Sequence, residues 1–174
     1  MGLIRSFTDP DIAKHLLREE GEVIVDEVRR HWAAYVRPVL ETVLAAVLFL
    51  ATAYAPADVS VVPMVLGLAA LGHAVWLALR EARDRFVVTN MRVFRVHGVL
   101  SSSLATMPLT RILDITVKKP LHGRIFGFGH FVFESAAQEQ GLRDIRYVGH
   151  PDARDLVIQR VVQRSGLRGP RMVN

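Results

Sequence analysis

Two long apolar runs separated by three residues constrain this chain more than any other feature. Residues 39–55 read VLETVLAAVLFLATAYA, with one charge, Glu41. Residues 59–79 read VSVVPMVLGLAALGHAVWLAL, without Asp, Glu, Lys or Arg. As α-helices these runs of 17 and 21 residues would reach roughly 26 and 32 Å, close to the ~30 Å of bilayer hydrocarbon. Only Pro56-Ala57-Asp58 lies between them, so they must form a tight hairpin. The alternative is a pair of buried helices in a soluble core, but 174 residues cannot wrap two helices that are apolar on every side. The pattern predicts a transmembrane helical hairpin with spans 39–55 and 59–79.

The flanks orient it. Arg29, Arg30 and Arg37 precede the first span, Arg80, Arg83 and Arg85 follow the second, and the connecting turn carries no positive residue. The positive-inside rule therefore places both termini in the cytoplasm. Trp32, Tyr35 and Trp76 fit an inner aromatic belt and Tyr54 an outer one. The polar, charged first 38 residues do not read as a signal peptide.

Charge is distributed unevenly. Residues 1–38 carry 6 Lys+Arg against 7 Asp+Glu, residues 39–79 none against 2, and residues 80–174 carry 16 against 8. The whole basic excess behind the sequence pI of about 10.2 thus follows the hairpin. Beside an anionic leaflet each exposed Lys or Arg would gain roughly 1 kcal/mol; equally, the charge serves to set topology. With 19 Arg against 3 Lys, and abundant Ala and Val, the arginine bias reads first as the codon usage of a GC-rich bacterial genome. The absence of cysteine excludes disulfide scaffolds, Cys-ligated zinc, iron–sulfur clusters and thiol catalysis.

After the hairpin the periodicity changes from helical to alternating. Strands are predicted at 85–89 (RFVVT), 93–97, 104–109, 111–118, 129–135 and 142–148. The turn-rich stretch 120–129 (PLHGRIFGFG) joins two of them and has room for one helical turn, and 138–141 is a polar loop. Pro151 opens a closing helix with Asp152 and Asp155 in its first turn, and Ala153, Leu156, Val157 and Val161 are placed on one face. Gly166 ends it and 167–174 form a tail. Ahead of the hairpin, Asp9-Pro10-Asp11 opens a short helix to about Leu17, Gly21 ends it, and 22–29 (EVIVDEVR) is strand-like. That strand is predicted to join the later β-domain, with the hairpin inserted between strand one and the rest. The domain division is therefore 1–38, 39–79, 80–166 and 167–174.

Several pieces together resemble a known family: EVIVDEVRRHW at 22–32 and the two spans, then Thr89-Asn90-x-Arg92-Val93 and Arg111-Ile112-x-Asp114-Ile115. The run from Gly123 to Gly129, followed by Phe133-Glu134-Ser135, completes the set. Over residues 21–164 the chain is similar to the bacterial PH-domain membrane proteins, the YdbS-like group. The resemblance implies a pleckstrin-homology fold, a seven-stranded bent barrel capped by a C-terminal helix. The expected fold class is then membrane α + β, a two-helix transmembrane hairpin attached to a cytoplasmic PH-like barrel.

No catalytic constellation emerges. The seven His (His15, His31, His73, His97, His122, His130, His150) show no i, i+4 pair with metal-ligand spacing, although His97 and His130 could meet in space. The glycines at 123–129 lack the Gly-Lys-Ser/Thr ending of a phosphate loop. Ser101–Ser103 lacks a nucleophile-elbow context. Glu134 could pair with Asp114 or Asp144, with no pocket predicted around them. No metal or cofactor is expected, and no nucleic-acid-binding module is evident.

Within the hairpin, His73 and Glu41 are intramembrane polar groups. His73 would bond span one, bond a neighbouring protomer, or serve function. Glu41 follows Arg37 by one turn. Gly67, Ala70, Ala74 and Ala78 line one side of span two, for packing within the hairpin or against a second copy. Arg83, Arg85, Lys118, Lys119 and Arg124 are the candidate contacts for anionic headgroups or a partner. These features predict a non-enzymatic scaffold or adaptor at the cytoplasmic face of the bacterial inner membrane. Its expected partners are anionic lipid and a protein or a copy of itself. The alternative is an accessory subunit of a transporter or channel-like oligomer, with His73 and the small-residue face inside the assembly.

Overall fold

The computed structural model describes residues 12–135 and 142–164. The Asp9-Pro10-Asp11 helix start, the 138–141 loop, the Gly166 stop and the 167–174 tail lie outside the described residues. Two helices, α1 (Val36–Tyr54) and α2 (Val61–Ala82), pack against each other as an antiparallel hairpin. Both run past the apolar stretch on the side of the β-domain, α1 starting at Val36 and α2 continuing through Arg80 and Glu81. Hydropathy marks only the apolar part of a helix, whereas the backbone ladder continues through charged residues. At the far end Val59 N–H and Ser60 N–H bond Pro56 C=O (3.1 and 3.0 Å), so the turn takes residues that composition assigned to the second span.

Seven strands among the described residues form two antiparallel sheets. The first is β1 (Ile24–Arg29), β2 (Arg85–Thr89), β3 (Arg92–His97) and β4 (Ser103–Pro108), in that order; the second is β5 (Ile112–Lys118), β6 (Phe128–Ser135) and β7 (Asp144–Gly149). The hairpin is therefore inserted between two hydrogen-bonded neighbours: β1 pairs with β2 from Ile24↔Thr89 to Arg29↔Arg85. Register shifts at Ile24/Asp26, Ile112/Asp114 and Gly129/Phe131 bend the strands.

The sheets do not close into the expected barrel. Between β1 and β7 there is one bridge, Arg30↔Val148, with His31 N–H on Tyr147 C=O at 2.7 Å. From β4 to β5 the chain turns through the short helical turn Leu109–Arg111 without a ladder. Closure would need paired edges on both sides, and here the corners are packed rather than bonded.

The core lies between the sheets. Val28, Phe86, Val88 and Met107 from the first face Phe131, Phe133, Ile145 and Val148 from the second. Helix α4 (Pro151–Arg164) caps the open end through Ile158, Val161 and Val162. This corrects the expected helix face: Leu156 and Ala153 are exposed. Tertiary anchors set the rotation. Pro151 stacks on Gly129, and Arg154 bonds Asp26 (2.5 Å) and Gly149 C=O (3.0 Å). On the outer face of the first sheet, Val87, Phe94 and Val96 are covered by Ile12 and Leu16, which explains why every residue of β2 is buried.

A fourth helix, α3 (Leu121–Phe126), joins β5 to β6. Gly123 sits so close to the start of β6 that a Cβ there would stand 2.5 Å from Phe128 O. At 100° per residue, Leu121 and Ile125 then lie opposite the buried Gly123 and face outward. Gly127 ends the helix in the left-handed region (φ 77°), where its lack of a Cβ avoids strain.

Candidate functional site at the base of the hairpin

The junction of hairpin and sheets is held by a buried ion network. Asp84, two residues beyond α2, accepts from Arg95 through Nε (2.8 Å) and Nη2 (2.5 Å) and from Arg30 through Nε (3.1 Å) and Nη2. Arg30 also reaches Glu81 (3.4 Å) and donates to Arg146 C=O (2.8 Å). Arg95 of β3 and Arg30 at the end of β1 thus meet at the Asp84 carboxylate, and Arg30 carries the network on to α2 and β7. Burial pushes the Asp84 carboxyl up, but the Arg95 hydrogen bonds and the charges of Arg30 and Arg95 outweigh it and hold it below the usual aspartate range.

A second network ties the N-terminal segment down. Glu22, with its side chain buried, accepts from Arg92 Nε (2.9 Å) and Nη2 (3.0 Å), from the Thr89 hydroxyl (2.8 Å) and from Leu17 N–H (2.7 Å). Asn90 accepts from Val23 N–H (2.9 Å) and donates to Gly21 C=O (3.1 Å). The Thr89-Asn90-x-Arg92 motif is therefore a clasp. It places a turn between β2 and β3 and fastens β1 beside them. Burial raises the Glu22 carboxyl, yet the Arg92, Leu17 and Thr89 hydrogen bonds bring it below the usual range.

The five basic candidates are dispersed. Arg85 lies buried in β2, 3.5 Å from Glu27. Arg83 donates to Val99 C=O (2.9 Å) in the β3–β4 loop, and Lys119 is paired with Asp152. Lys118, at the end of β5, and Arg124, within α3, are exposed. Burial and internal pairing decide this division, and neither is visible in a charge count.

In the hairpin, His73 Nδ1 lies 2.6 Å from Glu41 Oε2, and Arg37 Nε donates to Glu41 Oε1 (3.1 Å). Gly67 and Ala74 are buried and Ala70 and Ala78 half-buried, with the Phe49 ring of α1 over Gly67. Trp32 and Tyr35 occupy the helical turn that precedes α1, and Trp76 lies six residues before the end of α2. Tyr54, at the last residue of α1, is 82% exposed.

Trp32 extends an aromatic cluster. Its ring centroid is 5.4 Å from Phe126, edge-on, and 5.3 Å from His31. Phe128 behind them contacts His31, His122, His130 and Tyr147 at 5.3–5.9 Å. His130 Nδ1 accepts from Tyr147 N–H (3.1 Å). His97 lies on β3 in the other sheet, so the two strand histidines are not brought together. Among the described residues no three His, Asp or Glu side chains are grouped to hold a metal. Asp114 and Glu134 are register partners across β5 and β6.

The residues missed in the sequence are Asp84, Arg30, Arg95 and Glu22. Each lies in a strand-like or helix-end context, and Asp84 and Arg30 stand beside other charges that hide them in a count. The available signal was an acidic residue inside or beside an otherwise apolar strand, where burial demands a counter-charge.

Two bent antiparallel sheets capped by a C-terminal helix define a PH-like fold. The family model described as bacterial PH domain matches residues 38–166. The chain belongs to that family. The matched segment takes in the hairpin and everything from β2 to α4, leaving β1 outside it. No curated protein and no solved structure matches the chain.

Proposed function

We propose that this chain is a non-enzymatic scaffold or adaptor anchored in the bacterial inner membrane. Its hairpin spans the bilayer, both termini are cytoplasmic, and the PH-like domain makes protein and anionic-lipid contacts at the membrane surface. Membership of a family whose fold serves as a lipid- or protein-binding module supports the second half of this reading.

One observation carries the first half. Val39, Leu40, Val47, Leu50, Val62 and Leu68 on the outer faces of the hairpin are 56–63% exposed. Only about 11% of each candidate span is buried by the rest of the chain. A soluble core helix would be covered, and an apolar surface of two full helices is not tolerated in water. Hydrocarbon is the solvent that fits it.

The chain's lack of cysteine makes the test direct. The full-length protein should stay in the membrane pellet through alkaline carbonate and be released by detergent. A cysteine at Asp58 should react with an impermeant maleimide from outside spheroplasts, and one at Glu134 only after lysis. Recovery in the carbonate supernatant would refute the anchor. Native mass spectrometry of the gently extracted protein then addresses the scaffold role. A co-released protein or discrete oligomers would support it, and a bare monomer carrying only lipid would replace it with a lipid-surface module.

A further inference from the structure

The largest apolar side chains left uncovered on the β-domain include two groups at the base of the hairpin, one on each side of it. On one side is α3, where Leu121 is 76% and Ile125 72% exposed. It is held next to the start of α1 by the Phe126–Trp32 contact. On the other side is the β3–β4 loop, whose tip residue Leu100 is 89% exposed. That loop is fastened to the end of α2 by the Arg83 hydrogen bond to Val99 C=O. Leu100 also shares a cleft of about 440 Å³ with Trp76 and Arg80. Trp76 lies six residues before the end of α2, roughly 9 Å along the axis toward the apolar section.

We propose that these two elements seat the PH-like domain in the interfacial zone of an anionic bilayer. Leu121 and Ile125 of α3 and Leu100 of the loop enter the acyl boundary on opposite sides of the hairpin, while Lys118 and Arg124 meet the phosphates. The proposal rests on the reading of the hairpin as membrane-spanning and deepens it. Three observations converge on the bilayer as the occupant. Both elements are continuous with the hairpin surface, through Phe126–Trp32 and through the Trp76 cleft. The exposed cations Lys118, just ahead of α3, and Arg124, within it, complement anionic headgroups. The packing of Gly123 leaves α3 no other orientation, so its apolar ridge faces away from the domain whatever surrounds it. Aromatic residues at the headgroup level, as Trp32 would be here, are the usual companions of such an arrangement. A domain seated at two points cannot swing on its linkers. Its remaining surface is then presented to the cytoplasm at a fixed height and angle, which suits an adaptor.

Single-cysteine versions of the full-length chain would test this: Leu100→Cys, Ile125→Cys, Val47→Cys in the hairpin and Leu156→Cys on the exposed side of α4. Each is spin-labelled after reconstitution into vesicles of three parts phosphatidylethanolamine to one part phosphatidylglycerol. Collision rates with oxygen and with a water-soluble nickel chelate then report depth. The Ile125 and Leu100 labels should give an oxygen-to-nickel ratio several-fold above Leu156 and below Val47. If Val47 reads lipid while Ile125 and Leu100 match Leu156, the seating is overturned and the membrane anchor stands. If Val47 also reads water, the anchor fails and the seating fails with it. Labels at Ile125 and Leu100 shielded from both reagents would mean a protein covers the site, and would likewise overturn the proposal. Lys118→Glu with Arg124→Glu should move the Ile125 label toward water, and no movement would remove the two cations from the account.

Discussion

His73 Nδ1 lies 2.6 Å from Glu41 Oε2, joining the imidazole of α2 to the carboxyl of α1 across the hairpin. Glu41 lies about one and a half turns from the start of α1 and His73 about two and a half turns before the end of α2, and Arg37 completes the contact from the adjacent turn of α1. In the bilayer proposed for this hairpin, a polar side chain would be costly alone and tolerable when partnered. The pair ties the two helices together toward the β-domain, as the Phe49–Gly67 contact does nearer the turn.

That relationship is testable by a double-mutant cycle in detergent micelles. His73→Leu alone leaves Glu41 with an unanswered oxygen, and Glu41→Leu alone leaves the imidazole without its acceptor. Each should lower the melting temperature, and the double variant should lose less than the sum of the two. Strict additivity would show that the pair is not coupled.

Asp84→Asn should be among the most damaging single substitutions. It withdraws the charge that compensates Arg30 and Arg95 while leaving both guanidinium groups in place. Breaking a buried pair in this way costs about 3–5 kcal/mol. Chemical unfolding of the micellar protein measures it, and a loss below about 1 kcal/mol would mean the network is solvated in practice.

Asn90→Ala removes one acceptor and one donor that hold the backbone at Val23 and Gly21. A loss of about 1–3 kcal/mol should be concentrated at the N-terminal edge of the first sheet. Limited proteolysis should then cut near residues 19–23 several-fold faster, with the β2–β7 region still protected. Uniform acceleration along the chain would point to global destabilisation instead.

Acid should unfold the domain in two stages. Burial lowers the pKa of His31, His97 and His130, with His150, Arg95 and Arg146 adding to the effect at each in turn. A base held below its unfolded value takes up its proton first in the unfolded chain. Its contribution is complete above about pH 6.5 and declines as the pH falls beneath that value. Asp84 and Glu22 are depressed carboxylates, so their contribution is present above about pH 4.5 and is lost below it. Melting temperature should be level above neutrality, fall gently at first and then steeply. His130→Gln should shrink the gentle stage and spare the steep one. A single transition confined to the carboxylate range would contradict the histidine contribution.

The hairpin and most strands were legible because local periodicity is a property of consecutive residues. Two charge-poor runs joined by three residues leave one arrangement, and alternation such as Leu113, Ile115, Val117 marks a strand before any partner is known. Helix ends were less legible: Arg80 and Glu81 extend α2 past its apolar section because backbone hydrogen bonds do not depend on hydropathy. The face of α4 was placed only in part, Val161 turning inward as expected and Leu156 not, because Leu156 and Ile158 are alike as side chains. Only Pro151 on Gly129 and Arg154 on Asp26 decide which of them turns inward.

By itself, then, the sequence determined the hairpin, the run of β-strands and the basic excess that follows the apolar spans, each written in neighbouring residues. Tertiary structure decided which charges are spent inside the protein. Arg85, Lys119, Arg30 and Arg95 look no different from Lys118 and Arg124 in the chain, yet the first four are matched to carboxylates brought from as far away as Glu27 is from Arg85. The same packing turned Leu121, Ile125 and Leu100 outward around the base of the hairpin. Burial and long-range pairing depend on where the backbone returns, and no local pattern records that.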